Sequence, residues 1–144
     1  MCYPTITATG HLGQDPVLYT SQSGTDWTRF SVACTKRIKD KNSGQWSDGG
    51  TTWLTVKLFG VTARNAVASL KRGTPVTVTG SLAVDEYTVS AQAGQDEKRF
   101  DLVVENAHVA VDISHGTIDG YQRHVSSSPT DASTTGTDDP WGTP

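Results

Sequence analysis

Between residues 3 and 112, hydrophobic and polar residues alternate in five separate stretches of the chain. These stretches cover residues 5–9, 29–34, 53–59, 76–85 and 100–104. A period of two places every second side chain on the same face of an extended strand, so each stretch predicts a β-strand with one buried face. Turn-forming segments such as 42–44, 48–50 and 94–96 lie between strands. We therefore expect a fold built mainly from five strands.

One segment, residues 61–72, has helical spacing instead. Its apolar residues Ala63, Ala66, Val67 and Leu70 recur at intervals of three and four, which predicts a short helix between the third and fourth strands. Five strands with one helix in this position are typical of an all-β, five-stranded Greek-key barrel of the OB type. We expect every strand pair to be antiparallel because the connections are short. A β-sandwich is the competing architecture, and the single helix in mid-chain makes it less favoured.

The composition changes near residue 113 and divides the 144-residue chain into two parts. Residues 113–144 are rich in Ser, Thr and Gly and nearly lack aliphatic side chains, so they cannot bury enough apolar surface to offset the entropy of ordering. We predict one folded domain, residues 1–112, followed by a flexible acidic tail, residues 113–144. No apolar run reaches membrane-spanning length and no secretory signal is recognisable, so we expect a cytoplasmic protein with reduced cysteines and no membrane partner.

The net charge of −3 hides an uneven distribution of charges along the chain. Residues 29–72 carry nine Lys and Arg against two acids, whereas residues 73–112 carry two against seven. A basic block beside an acidic remainder is typical of a polyanion-binding face with a separate acidic region. The alternative is a solvated surface with no ligand.

The predicted strand 53–59 carries different side chains on its two faces. Leu54, Val56 and Leu58 belong to the core by their spacing, and the other face carries Trp53, Lys57 and Phe59. Aromatic rings stack on bases and a neighbouring cation attracts phosphates, so this face is typical of a nucleic-acid-binding surface. The alternative is a strand buried on both faces, with the two rings packed under a loop.

Further basic and aromatic residues extend the candidate surface. A basic run ends the second strand and enters a long hairpin that carries an indole, and two more aromatic side chains and one cation lie on neighbouring strands. These residues are Lys36, Arg37, Lys39, Lys41, Trp46, Trp27, Arg29 and Tyr87. The hairpin could close over a nucleic-acid strand, or its charges could merely keep the hairpin tip soluble. Trp27 fits equally well as a core residue at the end of the barrel.

No catalytic or cofactor motif stands out in the sequence. Phosphate loops, nucleophile elbows and His-Glu-x-x-His motifs are missing. Four acids on neighbouring strands could hold Mg²⁺ as in a nuclease, but they have solvent-facing positions and no dedicated spacing. These acids are Asp85, Glu86, Asp101 and Glu105. We expect neither an enzyme nor a bound metal or cofactor.

Several segments, in this order, resemble bacterial-type single-stranded DNA-binding proteins over about residues 3–112. They are Gly10-His11-Leu12-Gly13-Gln14-Asp15-Pro16, Phe30-Ser31-Val32-Ala33, Lys39-Asp40-Lys41-Asn42-Ser43-Gly44, Thr52-Trp53, Leu58-Phe59-Gly60, Leu70-Lys71-Arg72-Gly73 and Val78-Thr79-Gly80-Ser81-Leu82. The resemblance implies an OB fold, a homotetramer and a surface that wraps single strands. It also implies stacking roles for Trp53, Phe59 and Tyr87 and a phosphate-facing basic pair, Lys71 and Arg72.

The chain departs from the family pattern at several places in the domain and at its tail. Thr55 and Val61, for example, stand where basic residues are common. Ile38 stands where a stacking Trp is common, so one base contact is lost unless Trp46 or Trp27 substitutes for it. Asp85 and Glu86 stand in a stretch that is usually basic. We therefore expect weaker DNA binding with a smaller salt dependence. The tail keeps acids and an aromatic ring but continues past the ring, unlike the family's terminal Phe. This tail motif consists of Asp138, Asp139, Pro140 and Trp141. Such a tip fits a phage-encoded or paralogous member.

These observations favour sequence-tolerant binding and protection of single-stranded DNA in replication, recombination and repair. The tail is expected to recruit replication or repair proteins, and the protein is expected to associate with the nucleoid. The competing hypothesis is an OB-fold interaction module of a replication or repair complex, with only weak nucleic-acid binding. Loss of strand binding in Trp53→Ala would separate the two hypotheses.

Overall fold

The computed structural model describes residues 2–90, 92 and 94–123. Six strands and one helix follow one another along this part of the chain. They are β1 (Thr5–Leu12), β2 (Tyr19–Thr20), β3 (Asp26–Lys39), β4 (Trp46–Phe59), α1 (Gly60–Ser69), β5 (Pro75–Ser90) and β6 (Asp96–Val111). The predicted tail motif at residues 138–141 lies outside the described residues.

The strands form one sheet that closes on itself. Their order is β1-β5-β6-β4-β3-β2, and β1 also pairs with β3 through His11↔Ala33 and Leu12↔Val32. This extra pairing joins the two sides of the sheet, so five long strands make a barrel and the two-residue β2 extends it beside β3. Closure removes exposed strand edges from the barrel wall. The predicted all-β, five-stranded OB-type barrel with one helix between its third and fourth long strands is confirmed.

One pairing differs from the expectation of an all-antiparallel barrel. β4 and β6 run parallel, with Leu54 opposite Leu102 and Val56 opposite Val104. The helix and β5 intervene between these two strands, so β6 returns in the direction of β4. The expectation of antiparallel pairs throughout was therefore wrong for this pair, because alternation reports which face is buried and not the direction of the neighbour.

The helix and the strand bounds also differ from those predicted. α1 ends at Ser69 rather than near residue 72, and the Leu70 N–H donates to the Ala66 carbonyl oxygen at 2.8 Å. β3, β4, β5 and β6 are all longer than the stretches of clean alternation. Most of the added residues of β3, β4 and β5 lie in hairpins that leave the barrel, where neither face is buried and the alternation therefore fades. Residues 105–111 of β6 instead pair with β5 in the barrel wall, beyond a shift in register that interrupts the alternation.

The core fills the barrel from the inward faces of the strands and one side of the helix. The buried cluster is Leu12, Phe30, Val32, Leu54, Val56, Leu58, Ala63, Ala66, Leu70, Val76, Val78 and Val104. Thr28 is the buried polar residue of this part of the chain, and its hydroxyl donates to the Val17 carbonyl oxygen at 2.8 Å. Cys34 is partly buried and packs against the cluster. Burial raises the pKa of its thiol.

Two long hairpins extend from the barrel, and they differ in charge. The basic hairpin, residues 36–48, is the far end of β3 and β4, which stay paired as far as Lys39 and Trp46. The acidic hairpin, residues 84–101, is the far end of β5 with the start of β6, paired as far as Ser90 and Asp96. No helix within the described ranges is long and apolar enough to cross a membrane.

Candidate nucleic-acid interface

The outward faces of β3 and β4 bring five of the predicted site residues together. Cross-strand pairing sets Trp27 opposite Phe59, Arg29 opposite Lys57, and Ala33 opposite Trp53. The intervening residues of both strands point into the core, so these side chains share the outside of the barrel. We call Trp27, Arg29, Trp53, Lys57 and Phe59 the aromatic face. Sequence distance separates Trp27 from Phe59, and only the register of the hairpin shows that they are neighbours.

The rings of the aromatic face are open to solvent. Trp53 is 56% exposed and Phe59 is 60% exposed, so the alternative in which both rings pack under a loop is wrong. Trp27 is half-buried on the outward face, and its ring stacks on Tyr19 with centroids 4.7 Å apart and planes 27° apart. It is therefore not a core residue. Exposed rings of this size on one sheet face are uncommon unless they bind something.

Tyr19 is a member of this surface that alternation did not detect. It pairs with Trp27 from β2, as Phe59 does from β4, so three rings form a row across three strands. A two-residue strand has no measurable period, and this explains why the sequence pattern missed it. The row offers a longer stacking surface than the two rings of β4 alone.

Trp53 lies against the backbone of the loop that follows β1. A Cβ built on Gly13 would lie 2.6 Å from Cζ3 of the indole and 2.9 Å from Oγ of Ser31. A side chain at position 13 would therefore displace the ring. The indole nevertheless remains more than half exposed to solvent.

A bulge sets the orientation of Trp46. The register runs from Thr35↔Thr51 to Arg37↔Asp48, so Gly49 and Gly50 together face one residue of β3. Strict alternation would place Trp46 and Trp53, seven residues apart, on opposite faces. The extra residue shifts the alternation of side chains along β4 by one position. Trp46 therefore pairs with Lys39 on the side that continues the aromatic face. The Lys39 ammonium lies 5.9 Å from the centroid of the Trp46 ring, within reach of a cation–π contact.

All three lysines of the basic hairpin lack an ion pair within the described part of the chain. Arg37 lies 3.9 Å from Asp48, whereas Lys36, Lys39 and Lys41 have no ion pair with any described residue. A cation without a carboxylate partner can bind a phosphate without first breaking a contact.

Lys71 and Arg72 lie outside the aromatic face, on the turn after α1. Both are exposed, and the backbone N–H of Arg72 donates to Oδ1 of Asp15 at 2.7 Å. The same turn hydrogen-bonds to Leu12 through Gly73 and Thr74. The pair therefore lies near the loop that supports Trp53, rather than beside Lys57.

Tyr87 lies in the acidic hairpin among carboxylates. It is 41% exposed and its hydroxyl donates weakly to Oδ1 of Asp101 at 3.5 Å. Two residues earlier on β5, Asp85 lies 3.4 Å from Nζ of Lys57. The acid therefore neutralises the central cation of the aromatic face. Glu86 pairs in turn with Lys98 at 3.1 Å.

Asp26 and Arg64 join β3 to the helix beside Trp27. Nη1 of Arg64 donates to Oδ2 of Asp26 at 2.6 Å. This hydrogen bond, with a second from the Thr20 hydroxyl, lowers the pKa of the Asp26 carboxyl. Arg64 is thus committed to a structural contact and is not a free phosphate-binding group.

The four acids weighed as a Mg²⁺ site do not converge. Asp85 and Asp101 face each other across the hairpin, but Glu105 pairs with Ser81 further along the strand. Within the described part of the chain, no three His, Cys, Asp or Glu side chains are grouped so as to hold a metal ion.

Comparison with known proteins gives one consistent family. The model of the single-strand binding protein family matches residues 4–110. The single-stranded DNA-binding protein of Mycobacterium tuberculosis H37Rv is 32% identical over 146 residues, covering 96% of this chain and 87% of that protein. The protein of the same description from Paenarthrobacter nicotinovorans is 30% identical over 146 residues, covering 95% and 85%.

Two solved structures share the barrel. The small single-stranded DNA-binding protein from Streptomyces coelicolor superposes with a TM-score of 0.66 at 32% identity, covering 81% of this chain and 100% of that one. A Plasmodium falciparum SSB in complex with ssDNA superposes with a TM-score of 0.59 at 18% identity, covering 77% and 96%. The second likeness supports the fold alone.

Proposed function

Because the chain belongs to the single-strand binding protein family, we propose that it binds single-stranded DNA and protects it during replication, recombination and repair. The family resemblance implies stacking at Trp53, Phe59 and Tyr87, and the relatives that match this chain are described as single-stranded DNA-binding proteins. Binding is tolerant of sequence because every base has an aromatic face on which a ring can stack.

The observation that carries this proposal is the aromatic face itself. Exposed rings at Trp53 and Phe59 flank Lys57, and Arg29 lies opposite Lys57 on the neighbouring strand. Each stacked base contributes about 1–3 kcal/mol, and each neutralised phosphate adds a salt-dependent gain. The arrangement therefore suits a strand that presents bases to the rings and phosphates to the cations.

The basic hairpin supplies the rest of the proposed path. Ile38 occupies the position at which the resemblance implies a stacking Trp, and the bulge turns Trp46 toward the aromatic face one strand away. We propose that Trp46 replaces that missing ring. Lys36, Arg37, Lys39 and Lys41 then contact phosphates on the same hairpin, and Lys71 and Arg72 contact phosphates beyond Trp53.

The remaining parts of the proposal concern assembly, partners and chemistry. We propose a homotetramer, as the resemblance implies, which light scattering coupled to gel filtration would measure. The acids and ring of the tail motif at residues 138–141 are proposed to recruit replication or repair proteins. The protein acts by binding alone, without catalysis, in the cytoplasm at the nucleoid.

The test is tryptophan fluorescence during titration with a poly-dT oligonucleotide at low and moderate salt. We expect quenching by the single strand, weakened by salt, and none by a duplex of equal length. Trp53→Ala should lose roughly tenfold or more in affinity, as the removal of one stacked base requires, and Trp53→Phe should keep most of it. Trp141→Ala, a change of the same residue type in the tail, serves as the control.

A second candidate function follows from the acids around Tyr87. Asp85 and Glu86 stand where the resemblance implies basic residues, and Asp85 neutralises Lys57. An OB-fold interaction module with weak DNA binding would show no quenching at low salt, and Trp53→Ala would change nothing. Either of these results would support the interaction module and contradict DNA binding as the main function.

A further inference from the structure

A cleft opens beside Phe59, where β4 and β6 separate. The two strands are paired in parallel as far as Val56 and Val104. Beyond this point a cleft of about 300 Å³ lies between the end of β4, the first turn of α1 and residues 106–108 of β6. Its volume is at the lower end of ligand-binding pockets, which span roughly 300–1,000 Å³. A group the size of one base fits such a space, but a folded peptide does not.

A β-bulge in β6 creates the cleft. The register with β5 shifts between Thr79↔His108 and Ser81↔Glu105, so Asn106 and Ala107 face Gly80 alone. Asn106 has a φ of 50°, in the left-handed region, and a Cβ on Gly80 would lie 2.7 Å from the Glu105 carbonyl oxygen. A bulge bends its strand, so β6 follows β5 and leaves β4. The side chain of Asn106 consequently lines the opening.

The lining residues suit the edge of a base. An amide presents a donor and an acceptor, and a neutral imidazole does the same, so Asn106 and His108 can both read hydrogen-bonding groups. Neither side chain, nor that of Thr62, has a hydrogen-bond partner among the described residues. Phe59 forms another part of the wall with its exposed ring. Stacking on one side and polar groups at the rim are the usual way in which proteins read an unpaired base.

The charge around the cleft also suits a nucleotide. Lys57 lines it, and the first turn of α1 contains no acidic residue. A phosphate joined to a base stacked on Phe59 can reach this cation only when the contact between Lys57 and Asp85 breaks. Asp85, which pairs with Lys57, is on β5 and is not a lining residue.

We propose that this cleft holds one base of the bound strand, stacked on Phe59, with its edge read by Asn106 and His108. The inference rests on the proposed function, because the strand must first lie on the aromatic face. It adds a preference at one nucleotide position to a surface that otherwise tolerates any sequence.

The experiment compares base preference between wild type and variants. Asn106→Gly removes the amide but keeps the left-handed backbone, which glycine adopts without strain, and His108→Ala removes the imidazole. His115→Ala, an exposed histidine outside the cleft, is the matched control. Affinities are measured for dT, dC and dA strands of equal length, and thermal unfolding verifies that each variant folds.

The expected result is a change in the ratios of affinities between strands. Removing one net hydrogen bond to the preferred base should lower the ratio of the affinity for the preferred strand to that for the least favoured strand by about fivefold. His115→Ala should leave this ratio unchanged. The bases of a free strand stack on one another to the same extent whichever protein variant is added, so this effect cancels when a variant is compared with wild type. The affinity for the least favoured strand should stay within about twofold, because that base makes no such bond.

Two other results would overturn the inference. If both cleft variants lower the affinity for all strands equally, the side chains of Asn106 and His108 contact phosphate or sugar and read no base. If the ratios match those of wild type while Phe59→Leu still weakens binding, the ring stacks without a reading site beside it. Failure of wild type to bind any single strand is a different outcome, since it removes the proposed function itself.

Discussion

The two hairpins that leave the barrel are built alike but charged in opposite senses. Each is an antiparallel pair that continues beyond the buried part of its strands. The basic hairpin, residues 36–48, carries four cations and two acids, and the acidic hairpin, residues 84–101, carries two cations and five acids. One sheet architecture thus presents two surfaces with different attraction for a polyanion.

The difference lies in pairing as well as in number. Both cations of the acidic hairpin are bound, Lys98 to Glu86 and Arg99 to Glu97. The acidic hairpin also reaches the aromatic face, because Asp85 pairs with Lys57. In the basic hairpin only Arg37 has a carboxylate partner among the described residues. The comparison teaches that the positive charge available to DNA is smaller than the count of Lys and Arg, and that of the two hairpins only the basic one supplies unpaired cations.

The largest effect is expected from removing the free lysines of the basic hairpin. The triple variant Lys36→Gln, Lys39→Gln and Lys41→Gln should lower the slope of log affinity against log salt by about 2, at about 0.7 per lost phosphate contact. At about 50 mM salt this corresponds to a loss on the order of 100-fold. Fluorescence titration with poly-dT over a series of salt concentrations measures both quantities.

The matched control for this variant lies in the other hairpin. Lys98→Gln with Arg99→Gln removes two cations that are already paired with acids. Its salt slope should stay close to that of wild type. An equal decrease in slope for both variants would contradict the distinction between free and paired cations.

A smaller effect is expected from removing the bulge that orients Trp46. Deleting Gly50 restores strict alternation in β4 and should turn Trp46 to the opposite face of the hairpin. Loss of one stacked base, at about 2 kcal/mol, lowers affinity roughly thirtyfold. Trp46→Ala should show a similar loss, measured by the same titration. A deletion variant that binds like wild type would show that Trp46 does not act from this face.

A gain is expected from neutralising the acidic hairpin. Asp85→Asn removes the carboxylate that holds Lys57 and leaves a neutral amide of similar size. The freed cation should add about one phosphate contact, which steepens the salt slope by about 0.7 and tightens binding about fivefold to tenfold at about 50 mM salt. Glu105→Gln, an acid on β6 with no ion pair among the described residues, is the control for nonspecific loss of negative charge.

The smallest effect concerns the turn of the basic hairpin. The Asn42 N–H and the Ser43 hydroxyl donate to the Asp40 carboxylate and lower its pKa from the ordinary value of 3.8. Because the folded pKa is depressed, this stabilisation is complete above the unfolded pKa and is lost as the pH falls through the folded one. The Tm of Asp40→Asn should therefore be lower than that of wild type at pH 7, and the difference should disappear as the pH falls below 3.8 and through the lowered folded pKa. A difference that persists in acid would assign the effect to another cause.

The barrel could be predicted from the sequence because its strands each bury one face. Phe30, Val32, Leu54 and Val56 follow the period of two and lie in the core as expected. Alternation also selected Trp53 and Phe59 as outward-facing rings, and the structure exposes both.

Other features depend on contacts that no local pattern reports. The parallel pairing of β4 with β6, the ion pair between Lys57 and Asp85, and the stack of Tyr19 on Trp27 join segments far apart or too short to have a period. The bulges at Gly49-Gly50 and Asn106 each insert one residue into a ladder, which reverses the phase of everything beyond them. Alternation therefore predicted the barrel wall better than the hairpins and the cleft.

The backbone beneath the Trp53 indole has a consequence for the entropy of binding. Fixing a mobile side chain in a complex costs about 0.5–1.5 kcal/mol, but the Gly13 backbone already restricts where this ring can rotate. Trp46, on the exposed basic hairpin, lies beside the flexible Lys39 side chain instead and loses its freedom when a base arrives. Trp53 is therefore preorganised as the platform on which a strand can stack at the lowest conformational cost.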